Sequence, residues 1–321
     1  MSYNVLKYGD GCQGPASQLH GYLKTIVDYA EPDVLGLVKV EAIPITLSMK
    51  GKAPVGFADS ILLYALNSAR YAYCPFTNAA RDNNQTLLFY NKQKLGYSSY
   101  ITLVSDLTDI NLYKLYYLEP NLPKTHDTAF IYFVLVHTDS GDKSDDRDRQ
   151  MTELMTALRK HFSTLPDIIV MGDFNLRKSN EQGYQVLTNN AEKNYRLIDP
   201  PFAIDKKAAY PANWDKHPER FSSFLTTSTR KKDKQPNSCG TGGGAKGWYD
   251  HILISPLLAN NSNYYHYISR TYHTIGNDGK RIDVSVNDQP NKSAPVNVLN
   301  ALYQMSNKYP VMLELGVSPR K

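Results

Sequence analysis

The chain predicts an α/β protein built from packed, mostly antiparallel sheets with helices on the outside. Short apolar strand-like runs interleave with a few amphipathic stretches, which is the pattern of a layered α/β fold. Many successive strands are joined without room for a crossover helix, and that requires antiparallel pairing. A hydrophobic fraction of 41% over 321 residues supports a large core, and neither an internal repeat nor a linker divides it. A single domain over residues 1–321 is therefore expected.

The apolar pattern begins at once with MSYNVLKYG, which reads as a strand. HGYLKTIVDYA, residues 20–30, has helical spacing, and Glu31-Pro32 ends it because proline disfavours helix in the residue before it. DVLGLVKVEA then reads as a buried strand, and FADSILLYALNSARYAY, Phe57 to Tyr73, as a second helix with Asp59 in its first turn. QTLLFYNKQKL and SSYITLVSD read as antiparallel strands, and LYKLYYLEP and AFIYFVLVHT alternate in the same manner. The charged stretch DSGDKSDDRDRQ precedes MTELMTALRKHF, an amphipathic helix whose start is rich in acids, as the helix dipole favours. DIIVMGDFN is the next central strand. Residues 176–247 are loop-rich and hold the basic run Arg230, Lys231, Lys232 and Lys234 and the cluster GTGGGAKG. Those two segments fit a basic loop beside the site that grips an acidic substrate, or a solvated linker. WYDHILISP is a strand, NVLNALYQM a short helix and YPVMLELGV a final strand.

Composition narrows the function classes. A net charge of +5 with pI near 8.8 favours acidic partners such as phosphate esters or nucleic acid. The 24 tyrosines place many rings near the surface, where they stack on bases or sugars or serve as half-buried sheet residues. Cys12, Cys74 and Cys239 lie far apart with no CxxC spacing, which argues against a zinc site or a disulfide scaffold and leaves room for one bridge. No apolar run reaches the roughly 18 residues of a membrane span. No secretory signal is visible, and since the first strand starts at residue 1 an export signal could have been removed; the compartment stays open.

Polar residues that a core would not choose collect at strand ends. IIVMGDFN delivers Asp173 and Asn175 two residues apart at the end of an apolar strand, so both side chains reach the same rim. Asn4 sits in SYNV, Lys39 and Glu41 in LVKVE, His137 in VLVHTDSG, Asp250 in YDHILIS, and Asn307 with Lys308 before the last strand in SNKYPVMLEL. One such residue is an ordinary solvated terminus or turn former. Six such ends in one chain outline a phosphate or metal site.

In this order the motifs resemble the endonuclease/exonuclease/phosphatase superfamily, the DNase I-like proteins, over essentially the whole chain. The residues that carry the likeness are Tyr3-Asn4, VHTDSGDKSDDR, GDFN, YDHILIS and SNKYPV. The resemblance implies a four-layer α/β sandwich with the site at one edge of two packed sheets. It implies hydrolysis of a phosphoester by an activated water, with Mg²⁺ or Mn²⁺ neutralising the developing charge through hard oxygen ligands. By the same resemblance Asn4 helps hold the metal, Asp173 orients the attacking water, Asn175 contacts phosphate and His137 donates to a phosphate oxygen or the leaving group, with Asp250 matching as well. His251, on the opposite strand face from Asp250, reads as structural.

Three positions depart from the family pattern. Lys39 stands where a metal-binding Glu is expected, and Asn307-Lys308 stand where the family has Asp-His. A cation replaces a ligand for a cation, and an imidazole becomes an amine with an ordinary pKa of about 10.4. Glu41 lies on the same face of an extended strand as Lys39 but roughly 6.6–7 Å further along, so it reaches the ligand position only through a bulge. The lysines are alternatively surface residues, with the true ligands elsewhere. Read together, His137, Asp173, Asn175, Asp250 and Lys308 are the candidate catalytic residues. Asn4, Glu41 and Asn307 are the metal candidates, and Asn4, Lys39, His137, Asn175 and Lys308 are the phosphate candidates. Mg or Mn follows from the resemblance, and Lys39 and Asn307 argue against its binding. The expected function is phosphoester hydrolysis at a partly degenerate site, on nucleic acid, sugar phosphate or a lipid headgroup, by a monomer. The alternative is a catalytically impaired phosphate- or nucleic-acid-binding pseudoenzyme.

Overall fold

The computed structural model describes residues 1–42, 58–80, 82–106, 108–120, 122, 128–232, 239–261 and 263–318. Two sheets face each other. The first is built from β1 (Ser2–Tyr8), β2 (Val34–Glu41), β3 (Tyr71–Tyr73), β4 (Asn84–Asn91) and two later strands, β11 (His273–Thr274) and β12 (Val311–Met312), in the order β11-β12-β1-β2-β4-β3. The second is β5 (Leu95–Ser105), β6 (Asp109–Tyr117), β7 (Phe130–His137), β8 (Ile168–Asp173) and β9 (Asp250–Ile254), in chain order. A separate ribbon pairs β10 (Tyr265–Tyr267) with β13 (Leu315–Val317). Among the described residues only β1–β2 and β7–β8 pair in parallel, and each of these pairs is joined by a long helix.

Those two crossover helices, Ala16–Ala30 and Ser144–His161, form where apolar residues recur at helical spacing. The first buries Leu19, Leu23, Ile26 and Val27, and ends at Glu31, whose left-handed conformation lets its N–H bond the Val27 carbonyl. The second opens on Asp145 and Asp146, ends on Arg159, Lys160 and His161, and buries Met151, Leu154, Met155 and Leu158 between them. With Val296–Met305, which also buries one face, these helices cover the sheets from outside, completing an α/β sandwich. The sheets approach closely at Gly36, where an added Cβ would collide with the Leu135 and Met171 side chains opposite. No helix among the described residues is long and apolar enough to cross a membrane.

Four local readings change. The stretch Phe57–Tyr73 is not one helix: Ala58–Tyr64 is helical, and Tyr71–Tyr73 is a short strand, while Phe57 lies outside the described residues. Asn67 ends the helical pattern, its side-chain oxygen accepting from Ala69 N at 3.0 Å and its carbonyl from Arg70 and Tyr71. β4 and β5 do not pair with each other, because the chain crosses between sheets after Asn91. The helix in the charged segment begins earlier than the apolar pattern, at Ser144. YPVMLELGV divides into β12 and β13, which belong to different sheets.

Candidate functional site

Strand register places the site. β7 and β8 pair His137 with Asp173, and β8 and β9 pair Asp173 with Asp250, so three polar residues form one row across neighbouring strand ends. Cross-strand partners project to the same face, and here that face looks toward the first sheet. Gly172 makes the row possible. Its φ of +148° is open to glycine, and a Cβ there would strike the Val136 backbone.

The first sheet supplies the other wall. The Asn4 side-chain amide donates to Asp173 Oδ2 at 2.7 Å, and its oxygen accepts from Leu6 N at 2.8 Å. Beyond Asn4 the β1–β2 register slips, and Leu6, Lys7 and Lys39 all take left-handed backbone, with φ of 46°, 60° and 64°. This bulge aims Lys39 at the crevice, where it feels the charges of Asp173 and Lys308. Burial, and after it the charge of Asp10, raise the Glu41 carboxyl.

Lys308 closes the crevice from a segment that bridges to Thr227. Its ammonium lies 2.9 Å from Asp173 Oδ2 and 3.8 Å from Asp250 Oδ2, with the Tyr249 ring centroid at 4.7 Å. Ser306 steers it, donating through its hydroxyl to the Asn4 carbonyl at 2.8 Å and accepting from Lys308 N at 3.1 Å. Asn175 completes the GDFN turn: its N–H donates to Asp173 Oδ1 at 3.0 Å and its amide to the Thr138 carbonyl at 2.8 Å. Asn307 turns aside, donating to Thr241 Oγ1 at 2.8 Å, and its own oxygen is buried without a partner among the described residues. Thr241 follows Cys239, which is bonded to Cys12 in the loop after β1, so a disulfide ties this edge of the site to the strand that bears Asn4.

The electrostatics follow from burial. Burial alone would raise the Asp173 carboxyl, yet the Lys308 ammonium and the His137 ring hold it below the usual range. Burial would lower Lys308, and the two aspartates raise it instead. Asp250 goes the other way: burial and then the Asp173 charge push its carboxyl well above the ordinary value, and neither of its oxygens has a hydrogen-bond partner among the described residues. Burial and the Lys39 charge lower His137 to about 4, so its ring is neutral at neutral pH. Burial also lowers Lys39.

The donor set does not fit a divalent ion. Both oxygens of Asp173 are engaged, by Asn4 and Lys308 on one side and Asn175 on the other, and Lys39 and Lys308 act on it with positive charge. No group of three His, Cys, Asp or Glu among the described residues could hold a metal.

Four contributors were not among the candidates: Tyr249 and Thr138, which lie inside the motifs YDHILIS and VHTDSGDKSDDR, and Thr226 and Thr241, which lie outside every motif, shape the site through ring, carbonyl and hydroxyl contacts. Arg230 is not a surface cation. It is 1% exposed and donates to the carbonyls of Tyr303, Cys239 and Gln304 and to the Gln13 side chain, while Lys231 and Lys232 are exposed and Lys234 lies outside the described residues. His251 is buried beside Asp199 and stacks on Trp248 at 4.7 Å.

No protein-family model and no curated relative matches the sequence. Solved structures do. The chain is similar to Danio rerio TDP2 complexed with single-strand DNA product, at 13% identity and TM-score 0.57, over 98% of this chain and 97% of that one. It is similar to the mannosyl-6-phosphatase Bt3783 of Bacteroides thetaiotaomicron, at 14% identity and TM-score 0.54, over 98% of both chains. It is also similar to an endonuclease/exonuclease/phosphatase of Bacteroides vulgatus, at 14% identity and TM-score 0.54, over 99% of this chain and 97% of that one. Two facing sheets under outer helices, matched along nearly their full length, give this chain the four-layer, DNase I-like fold of the endonuclease/exonuclease/phosphatase superfamily.

Proposed function

We propose that the chain binds the phosphate group of a phosphoester in this crevice through ammonium groups in place of a divalent ion, and that hydrolysis is lost or slow. The observation that carries the reading is the Lys308 ammonium, 2.9 Å from Asp173 and 3.8 Å from Asp250. A lysine is an effective phosphate donor as a point charge. Lys39 feels the charges of the same crevice, and neutral His137 offers a ring N–H. Asp173 balances Lys308, so the remaining cation favours an anionic guest.

What this set lacks is a means of activating water. A bound metal lowers the pKa of water from 15.7 toward 7, and a lysine does not. Losing one general acid or base costs about 10²–10⁴ in rate, and this site has exchanged both the metal ligand and the imidazole. A second reading, residual hydrolysis, is favoured by the row His137–Asp173–Asp250, which keeps a carboxylate positioned at the rim. Among the similar structures, one is named a mannosyl-6-phosphatase and another holds a DNA product. A phosphate ester is the chemistry common to both, and we assign this chain no narrower substrate than that.

The test is hydrolysis of bis-p-nitrophenyl phosphate with Mg²⁺, Mn²⁺ or EDTA. The native chain is expected to give no metal-stimulated turnover, and the triple variant Lys39→Glu, Asn307→Asp, Lys308→His to gain it. Manganese-stimulated turnover of the native chain that vanishes in Asp173→Ala would overturn the reading in favour of an enzyme.

A further inference from the structure

The two sheets do not close on each other at the end away from the crevice. A cavity of about 430 Å³ lies there, walled by Ile131, Phe133, Ile169 and Ile252 of the second sheet and by Val34 and Met312 of the first. Its size falls within the range of small-molecule pockets, about 300–1,000 Å³. Protein interiors keep few voids larger than a water molecule, and apolar walls give water few partners, so a space of this kind suits an apolar guest. Along β7, Phe133 lines the cavity and His137 the crevice. Between them Leu135 packs with Met171 over Gly36, so core side chains separate the two spaces.

The ribbon supplies a further wall. Leu315 and Val317, two residues apart on β13, line the cavity with Tyr265 of β10. The Tyr265 hydroxyl donates to the Ala129 carbonyl at 2.9 Å and accepts from Tyr117 N at 3.0 Å, which pins the ribbon to the end of the second sheet.

Charge gathers where the lining reaches solvent. Glu31, Asp33 and Glu314 stand there against one cation, Lys94, and all four are exposed side chains of the lining. Lys94 is taken by Asp33 at 2.9 Å, and Arg70, outside the lining, stands 3.8 Å from Glu31 and 3.9 Å from Asp33. Glu314 donates its N–H to Thr271 Oγ1 at 3.0 Å, and its carboxylate forms no ion pair among the described residues. The Met1 amine donates to the Val34 carbonyl at 2.9 Å, and burial lowers it to about 5, so it adds no charge at neutral pH. The rim is therefore acidic, and it favours a cationic head over an anionic one.

We infer that this cavity binds a small amphiphile with one positive charge, its apolar chain lying between the sheets and its ammonium at the rim among Glu31, Asp33 and Glu314. The site shares no residue with the phosphate crevice, so either assignment can fail alone.

Octylamine, octanol and octanoate, one chain with three head charges, titrated separately into the full chain at neutral pH by calorimetry test it. Saturable octylamine binding is expected, at least tenfold tighter than octanoate, with octanol between them. The double variant Glu31→Gln, Glu314→Gln is expected to weaken octylamine severalfold and to leave octanol unchanged. Leu315→Trp, which fills the cavity from the ribbon, is expected to abolish binding of both. No saturable binding by the native chain, octanoate as tight as octylamine, unchanged octylamine affinity in the double variant, or binding retained in Leu315→Trp overturns the inference. Should Leu315→Trp fail to fold, the double variant decides, since both of its changes lie on exposed side chains.

Discussion

Lys308 Nζ and Asp173 Oδ2 stand 2.9 Å apart in the interior, with side chains 8% and 1% exposed. Two charges removed from water persist because each compensates the other, and removing one partner leaves the other stranded. Lys308→Met is therefore expected to destabilise the fold by about 3–5 kcal/mol, measured by urea denaturation. Adding Asp173→Asn should recover much of the loss, since the second change removes the stranded charge. A purely additive double variant would show that the pair is not coupled.

His137 gives a pH signature. Burial, and after it the Lys39 ammonium, lower its pKa from 6.5 to about 4. The unfolded chain takes up the ring proton near 6.5 and the folded chain only near 4. This contribution to stability is thus present above about 6.5 and is lost as pH falls toward 4. An NMR titration of the imidazole should show the low midpoint, and Lys39→Met should move it upward. A midpoint near 6.5 in the native chain would place the ring in solvent.

The disulfide Cys12–Cys239 spans 227 positions in sequence. Closing so long a loop restricts the unfolded chain, and losing a native bridge costs about 2–5 kcal/mol. Reduction with dithiothreitol, or Cys12→Ser, is expected to lower Tm and to loosen the edge where Thr241 holds Asn307. An unchanged melting curve under reduction would contradict this.

Gly172→Ala tests the strand end itself. With φ of +148° and the Val136 backbone against the missing Cβ, alanine must displace β7 from β8. Loss of the folded chain, or of phosphate binding in whatever folds, is the expected outcome by circular dichroism and calorimetry.

The layers were legible in the sequence because burial patterns are local. Ile168–Asp173 and Phe130–His137 announce themselves by apolar runs that end in polar residues. The misread pieces depend on distant contacts. Tyr71–Tyr73 has three residues and becomes a strand only by pairing with Phe89–Asn91, and Leu313-Glu314 separates two strands that nothing local assigns to different sheets. Motif order singled out Asn4, Asp173, Asp250 and Lys308, whose side chains meet in one crevice. It singled out Lys39 as well, but it could not show that Lys39 sits on a bulge of β2, because a left-handed residue within a strand leaves no mark in a two-residue period. Nor could it show that Arg230 is buried: a run of basic residues looks alike whether it faces solvent or four interior acceptors.

The most direct test of ammonium groups standing in for a metal is a calorimetric titration of the native chain with inorganic phosphate, in EDTA and again in Mg²⁺. Equal affinity in both, lost in Lys308→Ala, is the predicted result. Binding that appears only when magnesium is present would contradict it.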